Sequence, residues 1–272
     1  MNLLVRECYL YPVKACAGVR VDELAFDAAG QIIGDREWVI VDERGIMTWL
    51  GAIPKLALIR PQLTANGWSL LSPSDGVVLL PPAGQGALCT VQAWNGDRQA
   101  FESLAGRDSG DGPAAFVSDV VGKKVRVVWL ATHQHLPNPI HLTTVPSLRN
   151  LAAQLGVSVE SVSFHRRFRL NLLLDAVPGE SLSAFAEEAV KTLTRKSNPL
   201  PLTLDVTGKC TRCIVIDVDP EAGHTDERYF AGTRKHSAHR HPGKEAYFGI
   251  YARARSTGRL AAGDILAAEM RS

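Results

Sequence analysis

Hydrophobic and polar residues alternate in short runs through the first half of the chain, a pattern typical of β-strands. These β-prone runs are separated by turns rich in glycine or proline and occupy residues 7–11, 21–26, 38–41, 56–63, 68–71, 76–80 and 88–93. Repeated short strands with such turns favour a closed or sandwich-like β domain over a βαβ unit. We therefore predict a β-barrel-like domain in the N-terminal half.

The hydrophobic pattern changes near the middle of the chain. Residues 114–121 have a helical pattern and 124–130 a strand pattern, whereas the segment 131–140, rich in histidine and proline, interrupts both periods. We place a domain boundary beside this segment, which divides the chain into domains 1–128 and 129–272.

The second domain is predicted to combine helices with strands. Residues 144–156 begin with a candidate N-cap, Thr144, carry leucines on one face and end at Gly156, so they predict a helix. A second helix is predicted at 183–194, and strands are predicted at 169–175, 202–206 and 213–218, the last two around a tight turn. The predicted fold class is mainly β with an α+β second domain.

Composition and charge exclude several classes of function. Of the 272 residues, 46% are hydrophobic and 21% charged, which is ordinary for a folded globular protein. The net charge of +2 is too small for nucleic-acid binding through general basicity, and no apolar run approaches the roughly 20 residues of a membrane helix. The first residues lack the pattern of a secretory signal, so we expect a cytoplasmic protein that binds neither nucleic acid nor membranes.

The most distinctive local motif is a C-x-x-C sequence formed by Cys210 and Cys213. The basic neighbours Lys209 and Arg212 favour a thiolate, which is the form that acts as nucleophile or as ligand of a soft metal. A zinc site would need further ligands at matching spacing, and a thioredoxin-like pair would open a helix rather than a strand. Two cysteines that only pack at a strand end are the alternative, with Cys213 pointing inward.

Several cationic side chains stand at strand ends rather than on evident surfaces. Lys14 and Arg36 lie next to glycine turns, and Arg169 precedes Asn171 at the start of an apolar strand. Because a buried arginine needs an anion and a buried asparagine needs partners, we expect a recessed site for a phosphate-bearing ligand. The alternative for Arg36 is a structural ion pair with Asp35 or Glu37.

Short motifs along almost the whole chain together resemble one family. They are Tyr11-Pro-Val-Lys14, Gly34-Asp-Arg-Glu-Trp38, Arg167-Phe-Arg-Leu-Asn171, Lys209-Cys-Thr-Arg-Cys213 and Phe248-Gly249. The set is similar to the MOSC family with its N-terminal β-barrel domain. That family includes the mitochondrial amidoxime-reducing component, bacterial reductases of N-hydroxylated compounds and the C-terminal region of molybdenum-cofactor sulfurase. The resemblance implies a β-barrel-based MOSC domain after the first domain.

The resemblance also implies a cofactor and an activity. It makes Cys210 the thiolate ligand of molybdenum and the catalytic residue. The phosphate and pterin of molybdopterin would be held by Lys14, Arg36, Arg169 and Asn171, with the hydroxyls of Thr143 and Thr144 near the metal. The implied reaction is reduction of an N-hydroxylated small molecule by oxygen-atom transfer to molybdenum. The alternatives are sulfur transfer in cofactor maturation and a non-catalytic cofactor carrier.

The cysteine content shapes the expected partners. No cysteine follows Cys213, so we expect no iron–sulfur cluster in this chain, and electrons or sulfur would come from a separate donor protein. Residues 236–241 contain three histidines, which could bind a metal, but their basic neighbours favour a solvated loop.

Overall fold

The computed structural model describes residues 1–96, 98–131, 138–159, 162–195, 201–243 and 245–271. Its strands, in chain order, are β1 (Asn2–Leu10), β2 (Val19–Val21), β3 (Glu23–Phe26), β4 (Trp38–Asp42), β5 (Arg60–Thr64), β6 (Gly67–Leu71), β7 (Val77–Leu79), β8 (Ala87–Asn95), β9 (Ala100–Asp108), β10 (Val125–Leu130), β11 (Ile140–Thr144), β12 (Leu172–Ala176), β13 (Val190–Arg195), β14 (Leu202–Thr211), β15 (Tyr247–Ala254), β16 (Gly258–Ala261) and β17 (Ile265–Met270). The α-helices are α1 (Asp111–Val121), α2 (Val145–Leu155), α3 (Val162–Arg167) and α4 (Arg228–Arg240). None of the helices in these ranges is long and apolar enough to cross a bilayer.

Seven strands close into a barrel in the order β1-β12-β11-β15-β14-β13-β17. The pairing of β1 with both β12 and β17 closes the ring. Alternation along each strand sends leucine and isoleucine inward, as with Leu142 on β11 and Ile250 on β15, so one continuous apolar core fills the barrel. The intervening residues face outward, and on β11 they are His141 and Thr143. This outward polar face carries the site described below.

The remaining strands form smaller sheets. Strands β4, β10, β9 and β8 make a four-stranded sheet, and β5, β6 and β7 a three-stranded one. Helix α1 packs against β10 and the short 3-10 helix Pro54–Leu58, around a core that includes Ile40, Leu56 and Val127. Mainly β structure with an α+β second half is confirmed. Strand β1 belongs to the barrel although it lies in predicted domain 1–128, and the division at residue 128 stays a prediction.

Helix α2 confirms the helix predicted at 144–156. The Thr144 side chain accepts a hydrogen bond from the backbone N–H of Ser147, and Gly156 ends the helix in a left-handed conformation. The prediction of a helix at 183–194 was wrong, because this segment forms a 3-10 helix, Ala186–Ala189, followed by strand β13. Strand β13 pairs with β14 and β17, and this tertiary pairing outweighs the helical pattern.

The region around the cysteines also differs from its prediction. Strand β14 runs unbroken to Thr211 instead of turning at 207–212, and the predicted strand 213–218 contains the 3-10 helix Ile214–Asp217. The chain therefore leaves the sheet at Cys213, whose side chain is exposed rather than packed inward.

The predicted loop at 236–241 belongs mostly to helix α4. Its buried residues are Tyr229, Thr233 and Ser237, spaced four apart, so the inward face of this helix is largely polar. A hydrophobic pattern does not reveal such a helix.

Gly249 forms a bulge in β15 opposite Cys210. Lys209 pairs with Ile250 and Thr211 with Tyr247, so two residues of β15, Phe248 and Gly249, face one residue of β14. Gly249 has φ +77°, and a Cβ there would lie 2.6 Å from both the His141 ring and the Leu142 carbonyl oxygen. Only glycine fits this position without displacement.

We expect Gly249→Ala to lower the free energy of unfolding by about 3 kcal/mol. Alanine would have to adopt an unfavourable left-handed conformation, and its Cβ would clash with the Leu142 carbonyl oxygen. Gly208→Ala on the neighbouring strand is the matched control, since a Cβ there meets nothing within 4 Å. Its effect should stay below about 1 kcal/mol. Chemical denaturation of both variants measures the difference, and equal stabilities would contradict the prediction.

Candidate functional site

A pocket opens on the outer wall of the barrel beside the bulge. Its polar lining includes Arg36, His141, Arg169, Asn171, Arg212 and Tyr251. Three of the residues predicted to bind a cofactor, Arg36, Arg169 and Asn171, therefore meet at one place although they are far apart in sequence.

The backbone is strained where it presents the arginines. Arg36 has φ 54° and Arg169 φ 52°, and Ala15 next to Lys14 has φ 73°. Residues with side chains rarely adopt this left-handed region, and such strain persists only where surrounding contacts fix it. A hydrogen bond of 2.6 Å from the Arg36 N–H to the Tyr11 carbonyl oxygen holds the turn that contains Arg36. The clustering of three strained residues is typical of a functional site.

Tyr11 is the platform on which the two arginines rest. The guanidinium of Arg169 lies 4.4 Å from the centre of the Tyr11 ring and that of Arg36 lies 5.0 Å from it. Burial raises the pKa of Tyr11 to about 12 although Arg169 and Arg36 oppose the change. The neutral ring therefore holds both cations in place without neutralising either one.

Asp35 is the carboxylate within this group of cations. It is buried and accepts hydrogen bonds from the Arg36 guanidinium, from the Tyr11 N–H at 2.7 Å and from the Asn171 amide at 3.3 Å. Burial raises the pKa of Asp35, while Arg36 and the hydrogen bonds act in the opposite direction. The Arg36–Asp35 pair left open by the sequence is present.

Lys14 and Arg169 lack carboxylate partners among the described residues. The Lys14 ammonium donates to the Met47 sulfur at 2.9 Å, and burial, followed by Arg36 and Arg169, lowers its pKa to about 8. One Arg169 nitrogen donates to the Cys16 carbonyl oxygen at 2.7 Å, but its Nη2 is buried without a partner. Burial lowers the pKa of Arg169 to about 10. Lys14 and Arg169 thus have no counter-charge in contact, and an anion would relieve the imbalance.

Asn171 is completely buried and both ends of its amide have protein partners. The oxygen accepts from the His141 N–H at 3.1 Å, and the nitrogen donates to the Tyr9 carbonyl oxygen at 3.2 Å as well as to Asp35. These bonds support a role in aligning the strands of the site. Direct contact between Asn171 and a cofactor stays a prediction.

Cys210 is fully buried beneath Arg212, and Arg212 itself lines the pocket. The Arg212 Nη1 is 2.8 Å from the Cys210 sulfur. Burial and the neighbouring Cys210 raise the pKa of Tyr251, so its hydroxyl keeps its proton. Burial and then Arg212 lower the pKa of His141 well below its ordinary value, which leaves the imidazole neutral. The two cysteines of the motif therefore differ sharply, since Cys213 is exposed.

Thr143 and Thr144 do not line the pocket described above. Both are buried and their hydroxyls donate to the Glu187 carboxylate at 2.7 and 3.2 Å, together with Ser147 at 2.8 Å. Burial raises the pKa of Glu187, while these hydrogen bonds act against the change. The helix-capping role of Thr144 is present, and a position near a metal stays a prediction for both residues.

Sequence reasoning missed two residues that shape the site, His141 and Tyr251. It named Asp35 beside Arg36 and Arg212 beside Cys210, and both contacts are present. His141 on β11 and Tyr251 on β15 are cross-strand partners, and no sequence motif predicts this pairing. Among the described residues, no group of three or more histidine, cysteine or acidic side chains could chelate a metal, so residues 236–241 offer no such group there.

Two family models match the chain. The model of the MOSC N-terminal beta barrel domain matches residues 2–124, and that of the MOSC domain matches residues 130–267. Together they span almost the entire sequence.

Individual relatives are more distant. The human mitochondrial amidoxime-reducing component 1 is 26% identical over 291 residues, covering 96% of this chain and 81% of that protein. The molybdenum cofactor sulfurase of Drosophila persimilis is 29% identical over 241 residues, covering 79% of this chain but only 28% of the sulfurase. Among solved structures, the YuaD protein from Bacillus subtilis covers 100% of this chain with 12% identity and a TM-score of 0.49.

Glu187 gives the site a testable dependence on pH. Because its folded-state pKa is raised above the ordinary 4.5, its protonated form stabilises the fold below that pH, and this contribution is lost as pH rises through the folded pKa. We expect the free energy of unfolding of the wild type, relative to Glu187→Gln, to fall by about 1.4 kcal/mol per pH unit across that window. Denaturant titrations from pH 4 to 8 measure it. Exposed Glu180→Gln is the control and should show no such trend.

Proposed function

Because the chain belongs to the MOSC family, with a MOSC N-terminal β-barrel domain followed by a MOSC domain, we propose that it is a molybdenum-cofactor-dependent oxidoreductase that reduces N-hydroxylated small molecules. One observation carries the proposal: Arg36, Arg169 and Arg212 line one pocket, and the guanidinium of Arg212 contacts the buried Cys210 thiol. The similarity to amidoxime-reducing components over most of both chains supports it.

The cationic residues fit the phosphate of molybdopterin. Lys14, Arg36 and Arg169 would hold it, since a phosphate dianion offers three acceptor oxygens and arginine can grip two at once. The buried Arg169 Nη2 has no protein partner and would gain one. Asn171 would hold these residues in position through its hydrogen bonds to Asp35 and to the His141 backbone.

The Cys210 thiol fits the molybdenum of the same cofactor. A cysteine sulfur is a soft ligand that suits molybdenum, and Cys210 would supply it from a rigid strand rather than a loop. Thr143 and Thr144 would support this wall through Glu187.

When bound, the cofactor supplies two-electron redox chemistry and accepts the oxygen atom of the substrate. Reduction of an N–OH group to N–H consumes two electrons and two protons and releases water. Tyr251 and Arg212 face the pocket as hydrogen-bond donors and would orient the substrate oxygen. Because His141 is neutral and buried, it would hold Arg212 in place without adding charge.

The electrons would come from a separate protein. We place no second redox centre in this chain and propose no iron–sulfur cluster within it. We propose a small-molecule substrate, a partner that donates electrons, and a cytoplasmic location, without nucleic-acid or membrane binding.

A second candidate is a role in sulfur transfer or cofactor carriage. The similarity to molybdenum cofactor sulfurases, which covers 79% of this chain, favours it. Because the chain spans about 28% of that sulfurase, the activity of the whole sulfurase does not transfer directly. A carrier would contain the cofactor but would not turn over substrate.

The direct experiment is purification from a host that makes the cofactor, with molybdenum and pterin quantified. Turnover of an amidoxime with a viologen as reductant then separates an enzyme from a carrier. A protein without molybdenum and pterin would overturn the proposal.

We expect Cys210→Ser to lose molybdenum and turnover while keeping much of its pterin, because a hydroxyl is a poor ligand for a soft metal. Cys213→Ser is the matched control and should keep metal, pterin and activity, since its thiol is exposed. Metal analysis and pterin fluorescence measure both variants. Equal losses would instead favour a dithiol mechanism with a Cys210–Cys213 disulfide.

Lys14 predicts how anion binding depends on pH. Its pKa of about 8 means that it loses its proton above that pH, whereas a bound phosphate favours the charged ammonium. Affinity for inorganic phosphate should therefore fall about tenfold between pH 7.5 and pH 9.5. Calorimetry measures it, and Lys14→Arg should make the affinity nearly independent of pH in this range. An unchanged wild-type affinity would contradict the assignment.

A further inference from the structure

Arg212 contacts a thiol where other arginines of the chain contact a carboxylate. Arg36 pairs with Asp35 and Arg167 pairs with Asp219, whereas Arg212, like Arg169, has no carboxylate within ion-pair distance in the described parts of the chain. The Arg212 Nη1 lies 2.8 Å from the Cys210 sulfur and its Nη2 donates to the Phe168 carbonyl oxygen at 2.8 Å. The Cys210 sulfur is therefore a group able to carry negative charge in direct contact with this guanidinium.

The backbone fixes both ends of this contact. Arg212 donates its N–H to the Ala246 carbonyl oxygen at 2.6 Å, and Cys210 stands opposite the bulge formed by Phe248 and Gly249. A bulge re-aims the side chain across from it, which here brings the sulfur under the guanidinium. The Phe168 ring, 5.6 Å from the guanidinium, supports it from another side.

Charge and burial make the contact strong. A hydrogen bond from a cation is about twice as strong as a neutral one, and more so where water is excluded. The neutral His141 ring lies 3.3 Å from the same Arg212 nitrogen, so it neither repels the cation nor competes as an anion. In this arrangement Nη1 and Nη2 of Arg212 have partners while its Nε is buried without one, and the guanidinium covers the Cys210 sulfur.

We propose that Arg212 is the positioning residue for Cys210: it fixes the sulfur in one orientation beneath its guanidinium and keeps reagents in solvent away from it. This deepens the proposed function, because a thiol that is to ligate a metal must be held in one orientation and protected from oxidation. The exposed Cys213 has neither feature.

The test compares alkylation rates of individual cysteines in the full chain. A short pulse of iodoacetamide is given at pH 10, above the ordinary cysteine pKa of about 8.5. Each thiol is compared with itself in the wild type and in the variant, because burial both covers Cys8 and Cys16 and raises the pKa of each to about 12. Peptide mass spectrometry follows four thiols. In the wild type Cys213 should react fastest, while Cys210, Cys8 and Cys16, which are all buried, should react slowly.

We expect Arg212→Ala to speed the alkylation of Cys210 about tenfold, the effect of losing a charged hydrogen bond. Cys8 and Cys16 should stay slow, because they lie elsewhere in the core. Arg212→Lys, which keeps one donor and the charge, should restore part of the protection. Lys209→Ala is the control, since its ammonium lies 5.9 Å from the Tyr247 ring centre and makes no contact with the sulfur among its described contacts.

An unchanged Cys210 rate in Arg212→Ala would overturn the proposal, and so would a wild-type Cys210 as reactive as Cys213. If Arg212→Ala also speeds the alkylation of Cys8 and Cys16, the fold has loosened. The alkylation rate of Cys210 in Arg212→Gln then tests the proposal, with Cys8 and Cys16 again expected to stay slow. In cofactor-loaded protein, Arg212→Ala should lower the ratio of molybdenum to pterin. A wild type that binds no cofactor would overturn the proposed function, while the alkylation result would still decide the role of Arg212.

Discussion

The site is held together by the hydrogen bonds of one buried side chain, the amide of Asn171. It joins the end of β1 through the Tyr9 carbonyl oxygen, β11 through the His141 N–H, and the strained arginine turn through Asp35. The Asn171 backbone repeats two of these links, to Tyr9 and His141. Since an unsatisfied buried amide is costly, the three segments have one favourable arrangement. The positions of Arg36 and His141 follow from it.

Charge imbalance is the second constraint on the site. Burying Lys14 and Arg169 without carboxylates lowers both pKa values and opposes folding. Arg169 rests on the Tyr11 ring and the Lys14 ammonium contacts the Met47 sulfur, and these contacts hold the two cations in place. A loss of stability of this kind is a common property of binding sites.

The sequence predicts this protein well where local chemistry decides the structure. Helix α2 has its cap residues in the chain itself, and the motifs around Arg36 and Cys210 name the residues that meet in the pocket. Strand β13 was missed because its pairing with β17, and not a hydrophobic period, fixes its structure. Helix α4 was missed because its buried face includes threonine and serine and therefore shows no hydrophobic period. His141 and Tyr251 were missed for a related reason, since they become neighbours only when β11 pairs with β15.

The closure of the barrel by β1 has a consequence for how the chain folds. Asn2 pairs with Ala267, and Leu4 with Asp175 and Ile265, so the ring joins the two most distant parts of the described sequence. Contacts this far apart in sequence slow folding, because most of the chain must be ordered before they form. On the ribosome the three-residue strand β2 is the native strand partner that β1 can find before β12 emerges, and the ring stays open until β17 follows. Its unpaired edge is then the segment most in need of protection against association with other chains.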